Sequence, residues 1–146
     1  MRITIVTLDQ LDIIVPIFDG YRRFYKQVSD LHAAHAFLKE RLQNRDSIIF
    51  LAIDHNEKAL GFTQLYPSFS SVSMQRTYIL NDLFVTPEAR KQGVGEALME
   101  HAKQFAIKAG SKGLTLETDI DNPAQKLYQK LGWKKDDHVN HYTWEV

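Results

Sequence analysis

The sequence predicts an α+β or α/β fold, in which helices pack on a mixed β-sheet. Segments of strand length, rich in β-branched or alternating apolar residues, are interleaved with longer segments whose apolar residues recur at helical spacing. Their order is strand, two helices, three strands, helix, strand, helix and further strands. The chain has 146 residues, of which 44% are hydrophobic. We therefore expect one globular domain over residues 1–146 that can bury a core of its own.

The first third of the chain predicts a strand followed by two helices. Residues 3–7, ITIVT, are β-branched and indicate the strand. Apolar residues from about Leu8 to Tyr25 recur at helical spacing, with Pro16 and Gly20 as expected kinks or breaks. Ser29 is a favoured N-cap residue, and we expect it to cap the second helix.

The central segments predict three strands. Residues 47–54, SIIFLAID, form a nearly continuous apolar run, which is typical of a strand buried on both faces. A polar turn at 55–58 leads into ALGFTQLYPSF, so an antiparallel hairpin is expected. After a loop of small polar residues, RTYILNDLFV at 76–85 predicts the third of these strands.

The last third predicts a helix over 94–109, a strand at 114–118, a short helix and a tail with two short strands. The first helix has one apolar face and ends at Gly110, and LTLET alternates as a strand does. The short helix is bracketed by residues favoured at helix ends, namely Asn122, Pro123 and Gly132. In the tail WKKDDHVNHYTWEV, alternate apolar residues point one way, which indicates strands.

Composition narrows the function classes. Eighteen basic residues balance eighteen acidic ones, so bulk charge argues for neither a nucleic-acid partner nor a membrane surface. The absence of cysteine excludes a disulfide framework and a cysteine nucleophile. Acids at Asp9 and Asp12 interrupt the N-terminal apolar stretch, so a signal peptide is not expected. We predict a cytoplasmic protein.

The segment ARKQGVGEAL indicates a phosphate site. A dinucleotide loop needs a third glycine where this chain has Leu98, and a triphosphate loop needs Gly-Lys-Ser/Thr, which is absent. Gly93 and Gly95 leave backbone N–H groups accessible at the start of a helix, and Arg90 and Lys91 add positive charge. The pattern predicts a pyrophosphate cradle; the alternative is a glycine-softened loop that enters an ordinary amphipathic helix.

Residues 80–98, L-N-D-L-F-V-x-P-x-x-R-x-x-G-x-G-x-x-L, resemble the acetyl-coenzyme A signature of the GNAT (Gcn5-related) N-acetyltransferases. A second family motif, N-x-x-A/x-x-L-Y-x-x-x-G-W/F, is matched by Asn122, Leu127, Tyr128, Gly132 and Trp133. The resemblance covers essentially the whole chain. It implies the acyl-CoA N-acyltransferase fold, a mostly antiparallel sheet of about seven strands with a central parallel V-shaped splay, flanked by four helices.

The resemblance also implies where acetyl-coenzyme A would lie, between the splayed strands 76–85 and 114–118. Pantetheine would contact the backbone of Leu83, Phe84 and Val85. With Arg90 and Lys91 nearby, the pyrophosphate would be held by the amides of Gln92, Gly93, Val94, Gly95, Glu96 and Ala97. Asn122 would bind pantetheine, cap the short helix, or do both.

Two catalytic groups are expected. Tyr128 is the candidate proton donor to the sulfur leaving group, with core packing as the alternative role. An alkylammonium is mostly protonated at pH 7, so a base or a water relay must remove its proton. Asp82 and Glu117 are the candidate bases; the alternative roles for Asp82 are a structural carboxylate at the bulge of its strand and a group that binds the ammonium. The polyamine acetyltransferases that this segment resembles carry an acid where this chain has Asn81, so the choice among these routes stays open.

Aromatic side chains predict the acceptor site. The family's substrates enter between the first helical segments and the middle hairpin, and an aromatic box there would suit a cationic amine. The candidates for contact with substrate are Tyr21, Phe24, Tyr25, Tyr66, Phe69 and Asn81. The alternative is an aromatic stripe that belongs to the core. His32 and His35 lack the Glu spacing and the third ligand of a zinc site, so no metal is predicted.

These features together predict an acetyl-coenzyme A dependent N-acetyltransferase. The leading hypothesis is direct transfer, in a ternary complex, to a primary amine of a small molecule such as a polyamine or an amino acid. A protein or peptide amine is the second hypothesis, and a catalytically silent cofactor-binding module is the third. A homodimer is consistent with the resemblance, because sheets of this family often pair through their terminal strands.

Overall fold

The computed structural model describes residues 1–146 and contains one five-stranded sheet with helices on both faces. Four α-helices and two short 3-10 turns, Leu8–Gln10 and Pro87–Ala89, accompany the strands. In chain order the strands and α-helices are β1 (Arg2–Ile5), α1 (Leu11–Phe24), α2 (Leu31–Asn44), β2 (Ile48–Ile53), β3 (Ala59–Ser70), β4 (Gln75–Val85), α3 (Val94–Lys108), β5 (Leu114–Thr115) and α4 (Gln125–Lys130). None of these helices has the length and apolar character needed to cross a bilayer.

The sheet has the order β1-β2-β3-β4-β5 and confirms the predicted mixed topology. The first four strands are antiparallel, and β5 joins β4 in parallel through only Tyr78↔Leu114 and Ile79↔Thr115. One apolar cluster lies between the sheet and α1 with α2, and a second lies between the sheet and α3. Strand β2 contributes to both clusters, as its continuous apolar run predicts.

A β-bulge in β4 sets the geometry of the central strands. Gln64 pairs with Asp82 and the next residue of β3, Leu65, pairs with Leu80, so Asn81 is an extra residue in β4. Leu80 faces the α3 cluster, whereas Phe84 belongs to the cluster under α1. Because an extra residue reverses the alternation of a strand, the bulge turns Asp82 toward α1.

The sheet has five strands rather than about seven, and two segments account for the difference. Only Leu114–Thr115 of the predicted strand 114–118 pairs with β4, because the chain then diverges from that strand. No strand forms in residues 133–146. Tyr142, Trp144 and Val146 alternate as predicted, but they remain exposed and no neighbouring strand supplies the hydrogen bonds of a ladder.

Two expectations about the first helices were wrong. Helix α1 continues through Pro16 and Gly20, and a Cβ at Gly20 would lie 3.4 Å from the ring of Phe84. Gly20 therefore brings α1 close to β4 instead of breaking the helix. The N-cap of α2 is Asp30, whose side chain accepts a hydrogen bond from the Ala33 N–H at 2.9 Å, rather than Ser29.

Ser29 instead helps to hold the buried carboxylate of Asp19. Asp19 is 4% exposed and accepts hydrogen bonds from Ser29 Oγ at 2.8 Å and from the Asp30 N–H at 2.9 Å. Burial alone would raise the pKa of Asp19, but these hydrogen bonds and the nearby charge of Arg22 hold the pKa below its usual value. The carboxylate thus fastens α1 to the segment that leads into α2.

Asp19→Asn is expected to lower the free energy of unfolding by about 1–3 kcal/mol at neutral pH, because buried donors lose a charged acceptor. The folded-state pKa is depressed, so the stabilisation is present above the unfolded pKa of about 3.9 and is lost as pH falls through the folded pKa. Urea unfolding at a series of pH values checks this. The control Asp137→Asn removes an exposed carboxylate paired with Lys135, and a wild-type-to-variant difference at Asp19 that persists undiminished at low pH would contradict the account.

Candidate active site

A cavity of about 290 Å³ opens where β4 and β5 part. Its first wall is β4 from Leu80 to Val85, and its second is the segment from Leu116 to Thr118. Helix α1 closes one end, and the segment from Asn122 to Tyr128 closes another. The pairing of β4 with β5 stops at Ile79, so the two strands separate beyond that residue. The predicted splay of the parallel strands is this separation, and the cavity lies within it.

Strand β4 places its three predicted contact residues, Leu83, Phe84 and Val85, along this cavity. The Arg90 side chain lies at the end of that strand, where its Nε donates to the Val85 carbonyl at 3.2 Å. The Arg90 guanidinium also lies 5.8 Å from the centre of the Phe24 ring. Arg90 thus links the end of β4 to α1 across the cavity.

The loop before α3 carries unused hydrogen-bond donors. The backbone N–H groups of residues 91–96 find no acceptor within the chain. Gly93 has a φ of 79° and Lys91 a φ of 60°, the left-handed conformation that lets successive N–H groups converge. A second cavity of about 370 Å³ lies against Arg90, Lys91 and Gly93 to Glu96. These donors and charges fit a diphosphate.

Ala97 is the exception among the predicted phosphate contacts. Its N–H donates to the Gly93 carbonyl at 3.0 Å as the first hydrogen bond of the helix, so it is not free for a ligand. Gln92 keeps a free backbone N–H, and its side chain donates to the Glu88 carbonyl at 2.8 Å. The free donors therefore end at Glu96.

Asn122 ties the second wall to the start of the short helix. Its Oδ1 accepts from the Ala124 N–H at 2.9 Å, and its Nδ2 donates to Thr118 Oγ1 at 2.8 Å. The N-cap residue of α4 is Ala124, so Asn122 fixes the turn that precedes the helix instead of capping the helix itself. Its side chain also lines the cavity.

Tyr128 lines the cavity beside Thr118 and packs against Trp133, with ring centres 6.4 Å apart. Burial raises the pKa of Tyr128, and the nearby Tyr25 adds to this, while a hydrogen bond with Thr118 opposes it. The net shift is upward, so the phenol keeps its proton at neutral pH and remains a donor.

Asp82 lies behind the cavity wall. It is 3% exposed, and it accepts hydrogen bonds from Gln64 Nε2 at 2.5 Å and from Asn81 Nδ2 at 2.9 Å. A third contact comes from the Tyr21 hydroxyl. Burial raises the pKa of Asp82, and these three hydrogen bonds oppose the rise without cancelling it.

The aromatic candidates separate into two groups. Tyr21, Phe24 and Tyr25 line the cavity and pack edge to face, with ring centres 5.1 Å and 5.2 Å apart. Tyr66 and Phe69 do not line it. Tyr66 accepts from Gln64 Nε2 at 3.0 Å, and burial raises its pKa to about 12.

Phe69 is 70% exposed near the tip of the β3-β4 hairpin, where the Arg76 guanidinium lies 4.9 Å from its ring centre. The hairpin extends beyond β2, so this part of it cannot reach the cavity. The predicted box is therefore built from α1 rather than from both α1 and the hairpin, and Asn81 lines it from the bulge.

Two functional positions were missed by sequence reasoning. Gln64 is fully buried and positions Asp82 across the β3-β4 pair. Thr118 joins Asn122 to the surroundings of Tyr128. A polar residue inside an apolar strand was the available signal for Gln64, whereas Thr118 had none, because its partners come from later in the chain.

Comparison with known proteins agrees with this geometry. The model of the Acetyltransferase (GNAT) family matches residues 14–133. YhfO, an uncharacterized N-acetyltransferase of Bacillus subtilis (strain 168), is 52% identical over 134 residues, which cover 91% of this chain and 89% of its own. A probable acetyltransferase of Haemophilus influenzae is 36% identical over 83% of this chain and 80% of its own. The crystal structure of a probable acetyltransferase aligns with a TM-score of 0.95 and 42% identity, covering 100% of this chain and 98% of that one.

Proposed function

Because the chain belongs to the Acetyltransferase (GNAT) family, whose members are acetyl-coenzyme A dependent N-acetyltransferases, we propose that it acetylates a primary amine of a small molecule. The observation that carries the proposal is the cavity between β4 and β5, which joins a set of phosphate donors, a protonated phenol and an aromatic acceptor side.

The cofactor fits the residues at the base of this cavity. Leu83, Phe84 and Val85 offer the edge of β4 to the pantetheine, and the free N–H groups of residues 91–96 with Arg90 offer donors to the diphosphate. Gly95 lines both cavities, so a side chain there would occupy the space. Bound there, acetyl-coenzyme A supplies an acetyl group activated as a thioester.

Tyr128 supplies the acid for this chemistry. The Tyr128 side chain lines the cavity, keeps its proton at neutral pH, and is held by Thr118 and by the ring contact with Trp133. A protonated phenol at this position can donate to a departing sulfur. The side chain is therefore assigned as the general acid.

The acceptor side favours a small cationic amine. Tyr21, Phe24 and Tyr25 line the cavity on one side, and Glu117 lines the opposite wall, where its exposed carboxylate lies 3.1 Å from Nδ1 of His141. Asp119 adds negative charge close to Tyr25, where burial and that charge both raise the tyrosine pKa. The cavity of about 290 Å³ lies at the lower end of the usual range for ligand sites. Pantetheine would take up part of this volume, and the space that remains suits a small amine.

The test is release of free thiol from acetyl-coenzyme A in the presence of diamines, amino acids and aminoglycosides, with a peptide array run in parallel. Thiol release with at least one small amine, and formation of its N-acetyl product by mass spectrometry, is the expected result. Turnover of peptides alone would contradict the substrate class. Tight binding of coenzyme A without turnover of any amine would indicate a silent binding module instead.

A further inference from the structure

A buried carboxylate lies one side chain away from the acceptor end of the cavity. Asp82 is 3% exposed and does not line the cavity. Tyr21 does line it, and its ring centre lies 5.8 Å from that of Phe62 and 6.3 Å from that of Phe84. These two residues form the cross-strand pair next to Gln64 and Asp82 on the same face of the sheet, so the Tyr21 side chain is a neighbour of the Asp82 carboxylate. Tyr21 therefore stands between the cavity and the carboxylate.

The fold fixes both members of this pair. The bulge at Asn81 turns Asp82 toward α1, the helix that carries Tyr21. The Tyr21 ring is held by edge-to-face contacts with Tyr25 at 5.1 Å and Phe62 at 5.8 Å between ring centres. Gln64 Nε2 and Asn81 Nδ2 donate hydrogen bonds to the two oxygens of the Asp82 carboxylate. The Tyr21 ring and the Asp82 carboxylate are thus both held in place before any ligand binds.

We propose that Tyr21 carries the proton of the acceptor ammonium to Asp82, an inference that rests on the proposed function. An N–H bond of the ammonium breaks as its proton passes to Tyr21 Oη, and the Tyr21 O–H bond breaks as that proton passes to the Asp82 carboxylate. The ammonium becomes an amine with a free electron pair, the carboxylate becomes a carboxylic acid, and Tyr21 is unchanged.

The surroundings suit this transfer. The groups that face Asp82 are Tyr21 and Tyr25 from α1, Gln64 and Tyr66 from β3, and Asn81 from β4, and none of them is cationic. Burial raises the pKa of Asp82, which makes the carboxylate a better proton acceptor. Burial and the adjacent carboxylate raise the pKa of Tyr21 strongly, so this residue relays a proton without remaining ionised.

The experiment compares the pH dependence of kcat/KM for wild type, Tyr21→Phe and Asp82→Asn, with the best small amine of the panel. In the wild type, activity is expected at neutral pH. In Tyr21→Phe it falls by about 10²-fold at pH 7 and recovers as pH rises toward the amine's own pKa. Asp82→Asn should give the same profile, and the double variant should lose no more than either single variant.

Tyr78→Phe is the matched control, since Tyr78 is a buried tyrosine of β4 that packs on Phe105 away from the cavity. It should keep the wild-type profile. If the pH profiles of wild type and Tyr21→Phe coincide, the relay is overturned while the proposed function stays intact. A loss in Tyr21→Phe that is equal at every pH would overturn it in favour of a packing role. A wild type with no turnover of any amine would overturn the proposed function and the relay together.

Discussion

Tyr128→Phe is expected to lower kcat by about 10²-fold or more, because it removes the proton donor, together with the hydroxyl's hydrogen bond to Thr118. The ring contact with Trp133 and the filling of the cavity wall are kept. Coenzyme A should therefore bind with unchanged affinity by calorimetry, while steady-state kcat falls.

The control for this variant is Tyr142→Phe, which removes a hydroxyl from an exposed tyrosine of the tail and should keep the wild-type kcat. An unchanged kcat in Tyr128→Phe would remove the assignment of Tyr128 as the acid. A fall in both kcat and coenzyme A affinity would point to a structural role.

Gly95→Asp is expected to weaken coenzyme A binding by about 10²-fold or more, since a carboxylate would stand among the donors offered to the diphosphate. A Cβ at Gly95 would meet Leu127 at 3.5 Å and Val85 at 3.6 Å, which are ordinary contacts. An acid in the first turn of α3 also suits the helix dipole, so the fold should tolerate it.

Gly95→Ala is the graded control, because it adds bulk without charge and should lose less affinity than Gly95→Asp. Calorimetry with coenzyme A gives the affinities, and thermal melting of the free proteins verifies the fold. Equal affinity in Gly95→Asp and wild type would show that the diphosphate does not bind at the N-terminus of α3.

The sequence predicted the elements whose signals are local. The apolar run of β2, the antiparallel hairpin of β2 with β3 and the amphipathic α3 all form where expected, because their signals lie within short stretches of the sequence. The periodicity of β4 does not reveal which residue is the extra one at the bulge, Asn81, because an extra residue exists only relative to the partner strand. In the tail, the alternating apolar residues predicted strands that do not form, because a strand also requires a neighbouring strand for its hydrogen bonds.

The site residues that were predicted correctly also have local signals, whereas the others depend on contacts between distant parts of the chain. Most of the predicted cofactor contacts line the two cavities, because the strand end and the phosphate loop are one continuous piece of chain; they are Leu83, Phe84, Val85, Arg90, Lys91, Gly93, Val94, Gly95 and Glu96. Ala97 was predicted to contact the phosphate, but its N–H donates to the Gly93 carbonyl in the first turn of α3. Phe69 was predicted to contact the substrate but lies outside the cavity, because its distance from α1 depends on how far the β3-β4 hairpin extends past β2. Gln64 acts across a strand pair, which a single sequence does not display.

A crystal structure with coenzyme A bound is the decisive test of the proposed cofactor site. We expect pantetheine between β4 and residues 116–118, the diphosphate on the N–H groups of residues 91–96, and the sulfur beside the hydroxyl of Tyr128. Coenzyme A bound outside this cavity, or a sulfur remote from Tyr128, would contradict it.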